Sequence, residues 1–62
     1  MNKNTVEFVE TARQYNGDVS LETALEMAID LYKWALEEDN DNLAEEYYMI
    51  AEDIEESLYC LI

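Results

Sequence analysis

The chain has 62 residues, of which 16 are acidic, three are basic and none is histidine, so its formal net charge is −13. This length allows one domain, residues 1–62, with a thin core, and the absence of proline together with a single glycine argues against an all-β fold. The charge also excludes direct binding to nucleic acid or to an anionic membrane, because phosphate groups would be repelled. We therefore expect an all-α domain whose partner is a basic protein.

The first predicted helix covers residues 5–15. Asn4 or Thr5 is its predicted N-cap, since both side chains accept hydrogen bonds from free backbone N–H groups. Asn16 and Gly17 tolerate a left-handed backbone and are predicted to end the helix. The apolar side of this helix carries Val6, Phe8, Val9, Ala12 and Tyr15.

The central predicted helix covers residues 21–38, and Asp18 or Ser20 is its predicted N-cap. Two interpretations stay open for the apolar flank of Met27, Leu31 and Trp34: packing against the first helix, or a seam that binds a partner helix. At about 100° per residue, the predicted core side consists of Leu21, Leu25, Ala28, Tyr32, Ala35 and Leu36.

The third predicted helix covers residues 43–61 and is capped by Asp41 or Asn42. Short connections between three helices make neighbours antiparallel, so the sequence predicts a compact three-helix antiparallel bundle. The core side of the third helix is predicted to carry Leu43, Tyr47, Ile50, Ile54, Leu58 and Leu61.

Nothing in the sequence indicates catalysis, and we expect no catalytic residue, no cofactor and no metal site. Histidine, the usual general base and metal ligand, is absent. A calcium loop that began at Asp39 would need an oxygen ligand, a glycine and an acid where Leu43, Ala44 and Ile50 stand. Cys60 is the only cysteine and has no histidine partner, which argues against a nucleophilic role.

The expected location is the cytoplasm. A lone cysteine forms no intramolecular disulfide, as is typical of a reducing compartment. The first residues lack the charged and apolar regions of a signal peptide, and no apolar run approaches the roughly 18 residues of a membrane span.

The acidic pattern is the strongest functional signal. Ten of the 16 acidic residues lie from Glu37 onward, and no basic residue follows Lys33. The last helix is roughly 28 Å long at 1.5 Å per residue, and duplex DNA of that length carries about 16 charges. A net charge of −13 on such a body is comparable to that of a short duplex.

In size and charge the chain resembles the small acidic DNA-mimic proteins of phages and other mobile elements, which include anti-CRISPR and anti-restriction proteins. The resemblance implies a protein inhibitor that occupies the nucleic-acid channel of a defence nuclease or another DNA-binding protein in the host cytoplasm. It identifies no motif and transfers no residue roles.

Two functional hypotheses follow. In the first, acidic side chains replace phosphates and two tyrosines stack on partner arginines; these residues are Glu22, Glu26, Asp30, Glu37, Glu38, Asp39, Asp41, Glu45, Tyr48, Glu52, Asp53, Glu56 and Tyr59. In the second, the chain is a helical interaction module, such as a homodimer, an antitoxin-like partner or an assembly subunit. That module would bind through Met27, Leu31 and Trp34, with an apolar tail of Tyr59, Leu61 and Ile62.

Overall fold

The computed structural model describes residues 1–59, which form three α-helices: α1 (Lys3–Asn16), α2 (Leu21–Glu37) and α3 (Asp41–Tyr59). Within these residues no strand occurs. The predicted all-α class and three-helix bundle are confirmed. Helices α1 and α3 begin two residues earlier than predicted, and the predicted positions of Cys60, Leu61 and Ile62 lie outside the described residues.

The early starts of α1 and α3 reflect a choice between equivalent caps. Each helix begins after a side chain that accepts the N–H of the residue three positions on: Asn2 from Thr5 at 3.1 Å, Ser20 from Thr23 at 3.2 Å and Asn40 from Leu43 at 3.2 Å. Of the predicted caps only Ser20 is correct. Asn2 and Asn40 precede similar cap residues, so local sequence could not distinguish the two starts.

The connection between α2 and α3 is a Schellman motif, which the sequence analysis missed. The N–H of Asn40 bonds the carbonyl of Ala35 at 2.9 Å, and the N–H of Asp39 bonds that of Leu36 at 3.1 Å. Asp39 takes a left-handed φ of 55°, a conformation that glycine usually supplies. This tight turn makes α2 and α3 an antiparallel hairpin.

Most of the buried residues of the hairpin are alanines. Ala24, Ala28 and Ala35 of α2 are fully buried, and Ala44 of α3 is buried as well. Small side chains let two helices approach closely. The inner side of α2 is therefore centred on its alanines, and the leucines predicted to lie there are displaced towards its edges.

Helix α1 packs across one face of the hairpin and contacts α3 more than α2. Its Val9 and Ala12 join Val19, Ala24 and Ile54 in the buried core. Two predicted core positions of α1 are wrong, since Tyr15 is 83% exposed and Val6 is also exposed. Along α2, the core cluster that includes α1 reaches only as far as Met27, so the second half of the hairpin is not covered by α1.

Candidate partner-binding surface

The acidic side chains of α2 form a ladder on its outer edge. Glu22, Glu26, Asp30 and Glu37 are all exposed. At 3.6 residues per turn they lie roughly 140–180° around the helix from the buried alanines. Since those alanines face α3, the α2 ladder points away from α3.

A second ladder, on α3, consists of Glu45, Glu52 and Glu56, which are exposed. They lie roughly 120–160° around α3 from the midpoint between the buried Ala44 and Ile54, on the exposed side of the helix. Glu45 and Glu52 also border a groove between α2 and α3. The two ladders therefore lie on the exposed sides of the two helices of the hairpin, and only the α2 ladder points directly away from the other helix.

The turn between α2 and α3 joins the two ladders with further negative charge. Glu37, Glu38, Asp39 and Asp41 are exposed within five consecutive positions. Asp41 lies in the first turn of α3, where the helix dipole favours an anion, whereas Glu37 and Glu38 end α2, where the dipole disfavours one. This concentration at one tip costs stability and adds nothing to the core.

Asp53 differs from the other predicted phosphate substitutes because its carboxylate is engaged within the chain. The backbone N–H of Asn2 donates to Asp53 Oδ2 at 2.8 Å. This bond, together with the nearby Thr5 hydroxyl and N-terminal ammonium, holds the pKa of Asp53 below its usual value. Asp53 therefore fastens the start of α1 to α3, a role that its position in an acidic run does not reveal.

The two predicted stacking tyrosines, Tyr48 and Tyr59, are exposed on the same side of α3 as its acidic ladder. The Tyr48 ring also packs against Tyr32 of α2, with a centroid separation of 5.7 Å and an interplanar angle of 49°. Tyr48 thus packs against Tyr32 and remains 50% exposed, whereas Tyr59 is 76% exposed.

The three residues of the apolar flank, Met27, Leu31 and Trp34, differ in how far the fold buries them. Met27 packs against the core cluster, and Leu31 is half-buried. Trp34 is 49% exposed, so the interpretation that the flank packs against α1 does not hold for this residue. The reason is that the packing of α1 on α2 extends no further than Met27.

An apolar groove lies between α2 and α3, and none of the residues that line it comes from α1. One part, of about 330 Å³, is lined by Leu25, Ile29, Tyr32, Tyr48 and Ala51, with Lys33, Glu52 and Glu55 at its margins. Tyr32 and Tyr48 also line an adjoining part with Leu36, Ala44, Asp41 and Glu45. Tyr32 and Leu36 belong to the predicted core side of α2, but Tyr32 is only half-buried and Leu36 is 46% exposed.

Residues 1–59 contain no group of three or more acidic or cysteine side chains arranged to hold a metal ion. Across the same residues, no helix is both long and apolar enough to cross a bilayer.

No protein-family model matches this chain, and no curated protein or solved structure shows significant similarity to it.

Proposed function

We propose that this chain is an acidic protein inhibitor or regulator that binds the basic nucleic-acid-binding site of another protein. The observation that carries the proposal is the pair of exposed acidic ladders, one on each helix of the α2–α3 hairpin. A duplex likewise carries its phosphates on two strands at the outside of a rod. A basic channel that surrounds a duplex contacts both strands, and it would contact both ladders here.

Collective action of the acids is part of this proposal. An exposed ion pair contributes only about 0–1 kcal/mol, so no single carboxylate dominates binding. Displacement of counterions from the partner makes such binding weaken as salt rises. The target class suggested by the DNA-mimic resemblance is a nuclease of a host defence system, with this chain encoded by a phage or another mobile element.

The test is competition between this protein and a fluorescent DNA duplex for a basic nucleic-acid-binding protein recovered with it at low salt. Three triple variants carry the same change of charge. One neutralises the α2 ladder (Glu22→Gln, Glu26→Gln, Asp30→Asn) and one the α3 ladder (Glu45→Gln, Glu52→Gln, Glu56→Gln). The control changes acids outside both ladders (Glu7→Gln, Glu10→Gln, Asp18→Asn).

Either ladder variant should lose most of its competition with DNA and show a weaker salt dependence, while the control should compete nearly as well as the unchanged chain. Binding that never competes with DNA would refute the proposal. Equal losses of competition in all three variants would show that only the net charge matters and not the position of the acids. A loss in only one ladder variant would contradict the proposal that the two ladders together replace the two strands of a duplex.

A second candidate function, the helical interaction module, is favoured by one observation. Trp34 is 49% exposed and lies one turn from the half-buried Leu31, and tryptophan is frequent among residues that dominate binding energy. Association through this flank would be nearly insensitive to salt and lost in Trp34→Ala. Sedimentation of the unchanged chain and of Trp34→Ala, each at low and at high salt, distinguishes this function from the first.

A further inference from the structure

The groove between α2 and α3 is an incomplete helix-packing site. Its floor is formed by Leu25, Ile29, Tyr32, Leu36, Tyr48 and Ala51. In a bundle, a third helix would cover this face, but α1 packs elsewhere on the hairpin. From Leu25 to Leu36 the floor is roughly 17 Å long at 1.5 Å per residue, which matches about three turns of an α-helix.

The charges at the groove margins restrict what can cover it. Along the α3 margin lie Asp41, Glu45, Glu52 and Glu55, whereas the α2 margin contributes Lys33. A second copy of this chain would bring another −13 charges against these acids, so self-association through this face is opposed by electrostatics. A partner helix with basic residues beside its apolar face would instead be attracted electrostatically by these acids.

We propose that this groove binds an amphipathic basic helix of a partner protein, with its apolar stripe against Tyr32 and Tyr48 and its Lys or Arg flank against the acids of α3. Amphipathic helices bind hydrophobic grooves through anchors spaced one turn apart. The asymmetry between the acidic α3 margin and Lys33 on α2 sets which way round the helix lies. The proposal goes beyond the function above, because the floor residues other than Tyr48 have no part in the replacement of phosphates.

The probe is a fluorescent peptide of about 14 residues, close to four turns, with leucine at helical spacing and lysine elsewhere. A scrambled peptide of the same composition, which cannot form one apolar face, measures binding by charge alone. A third peptide with glutamate in place of lysine tests the sign of the charge. Binding is followed by fluorescence anisotropy at low and at moderate salt.

Two pairs of variants of the full chain locate the site. Tyr48→Ala removes a groove side chain, and Met49→Ala removes an exposed apolar side chain that does not line the groove. Glu52→Gln with Glu55→Gln removes two margin charges, and Glu7→Gln with Glu10→Gln removes two charges from α1. Circular dichroism confirms that each variant is folded, and Ile29→Ala provides a second groove variant.

The amphipathic lysine peptide should bind at least about tenfold more tightly than the scrambled peptide, as expected for a few dominant anchors. Tyr48→Ala and Ile29→Ala should remove that advantage, whereas Met49→Ala should keep it. The double change at the margin should weaken binding more than the double change on α1.

Equal binding of the amphipathic and scrambled peptides would overturn the proposal, as would equal affinity of the glutamate peptide. A concentration-dependent dimer abolished by Ile29→Ala would assign the groove to a second copy and also overturn it. Because Ile29→Ala retains both ladders and both stacking tyrosines, loss of peptide binding in this variant with retained competition against DNA separates this result from the proposed function.

Discussion

Asp53 on α3 accepts a hydrogen bond at 2.8 Å from the backbone N–H of Asn2, the residue whose side chain also caps α1. Asn2 thus bonds the first turn of α1 through its side chain and α3 through its backbone N–H. The buried Thr5 completes the arrangement, since its N–H bonds the Asn2 side chain and its hydroxyl lies near the Asp53 carboxylate. The start of α1 is therefore determined by tertiary contacts as much as by its own sequence.

Asp53→Asn should destabilise the fold by about 1 kcal/mol, because it replaces the charged acceptor of the Asn2 N–H with a weaker neutral one. The matched control is Glu56→Gln, one turn away on the outer edge of the same helix. That change removes the same charge from a repelling surface and should leave the free energy of unfolding unchanged or slightly increased. Urea unfolding at neutral pH measures both, and equal effects of the two changes would contradict the assigned role.

The Asp53 contribution should also depend on pH in one direction. The folded state holds the pKa of Asp53 below the ordinary value of 3.8, so its stabilisation is fully present above that value. It is lost as the pH falls through the lower folded-state pKa. The difference in stability between the unchanged chain and Asp53→Asn should therefore be constant from neutral pH to mild acid and disappear in strong acid. A difference that grows on acidification would contradict this sign.

Asp39→Gly should stabilise the fold by about 1 kcal/mol. Asp39 adopts a φ of 55° at the position of the Schellman motif where glycine avoids the steric cost of a side chain. Asp39→Asn removes the charge and keeps a residue that tolerates this conformation, so it separates charge from backbone strain. Asp39→Ala, which keeps the steric cost, should be less stable than Asp39→Gly. Thermal unfolding midpoints give the order of stability. A higher midpoint for Asp39→Ala than for Asp39→Gly would show that the turn is unstrained.

Added sodium chloride should raise the unfolding midpoint, because screening relieves repulsion in a chain with a net charge of −13. Mild acid, towards the isoelectric point near 4.1, should act in the same direction until Asp53 is protonated. The triple variant Glu22→Gln, Glu26→Gln, Asp30→Asn should show a smaller increase with salt. Circular dichroism melts provide the midpoints, and a flat or falling midpoint in the unchanged chain would contradict surface self-repulsion.

Trp34→Ala should cost only about 1 kcal/mol, well under the 3–5 kcal/mol typical of a buried aromatic side chain, because Trp34 is 49% exposed. Ile54→Ala is the comparison, since Ile54 is fully buried in the core and should cost about 2–5 kcal/mol. Chemical unfolding measures both. A larger cost for Trp34 than for Ile54 would place the tryptophan inside the fold.

The helices themselves were predictable because each depends on information local to its segment. In the sequence, α2 is marked by apolar residues at helical spacing and by its Ser20 cap. The end of α1 is marked by Gly17, which adopts a φ of 79° in the structure. Good helix formers and the scarcity of turn residues excluded a sheet. The net charge was likewise a property of the sequence, and with it the expectation of a basic partner.

Only the tertiary structure decided which side of each helix is covered. The apolar arc of α2 is wider than one neighbour can bury, and its periodicity alone does not show that α3 packs on the alanines. Packing on Ala24, Ala28 and Ala35 leaves Tyr32 and Leu36 at an open groove and the acidic ladders on the exposed sides of α2 and α3. It also leaves Trp34 beyond the contact with α1. Asp53 gained its partner in the same way, since a bond between positions 51 residues apart exists only once the helices have packed.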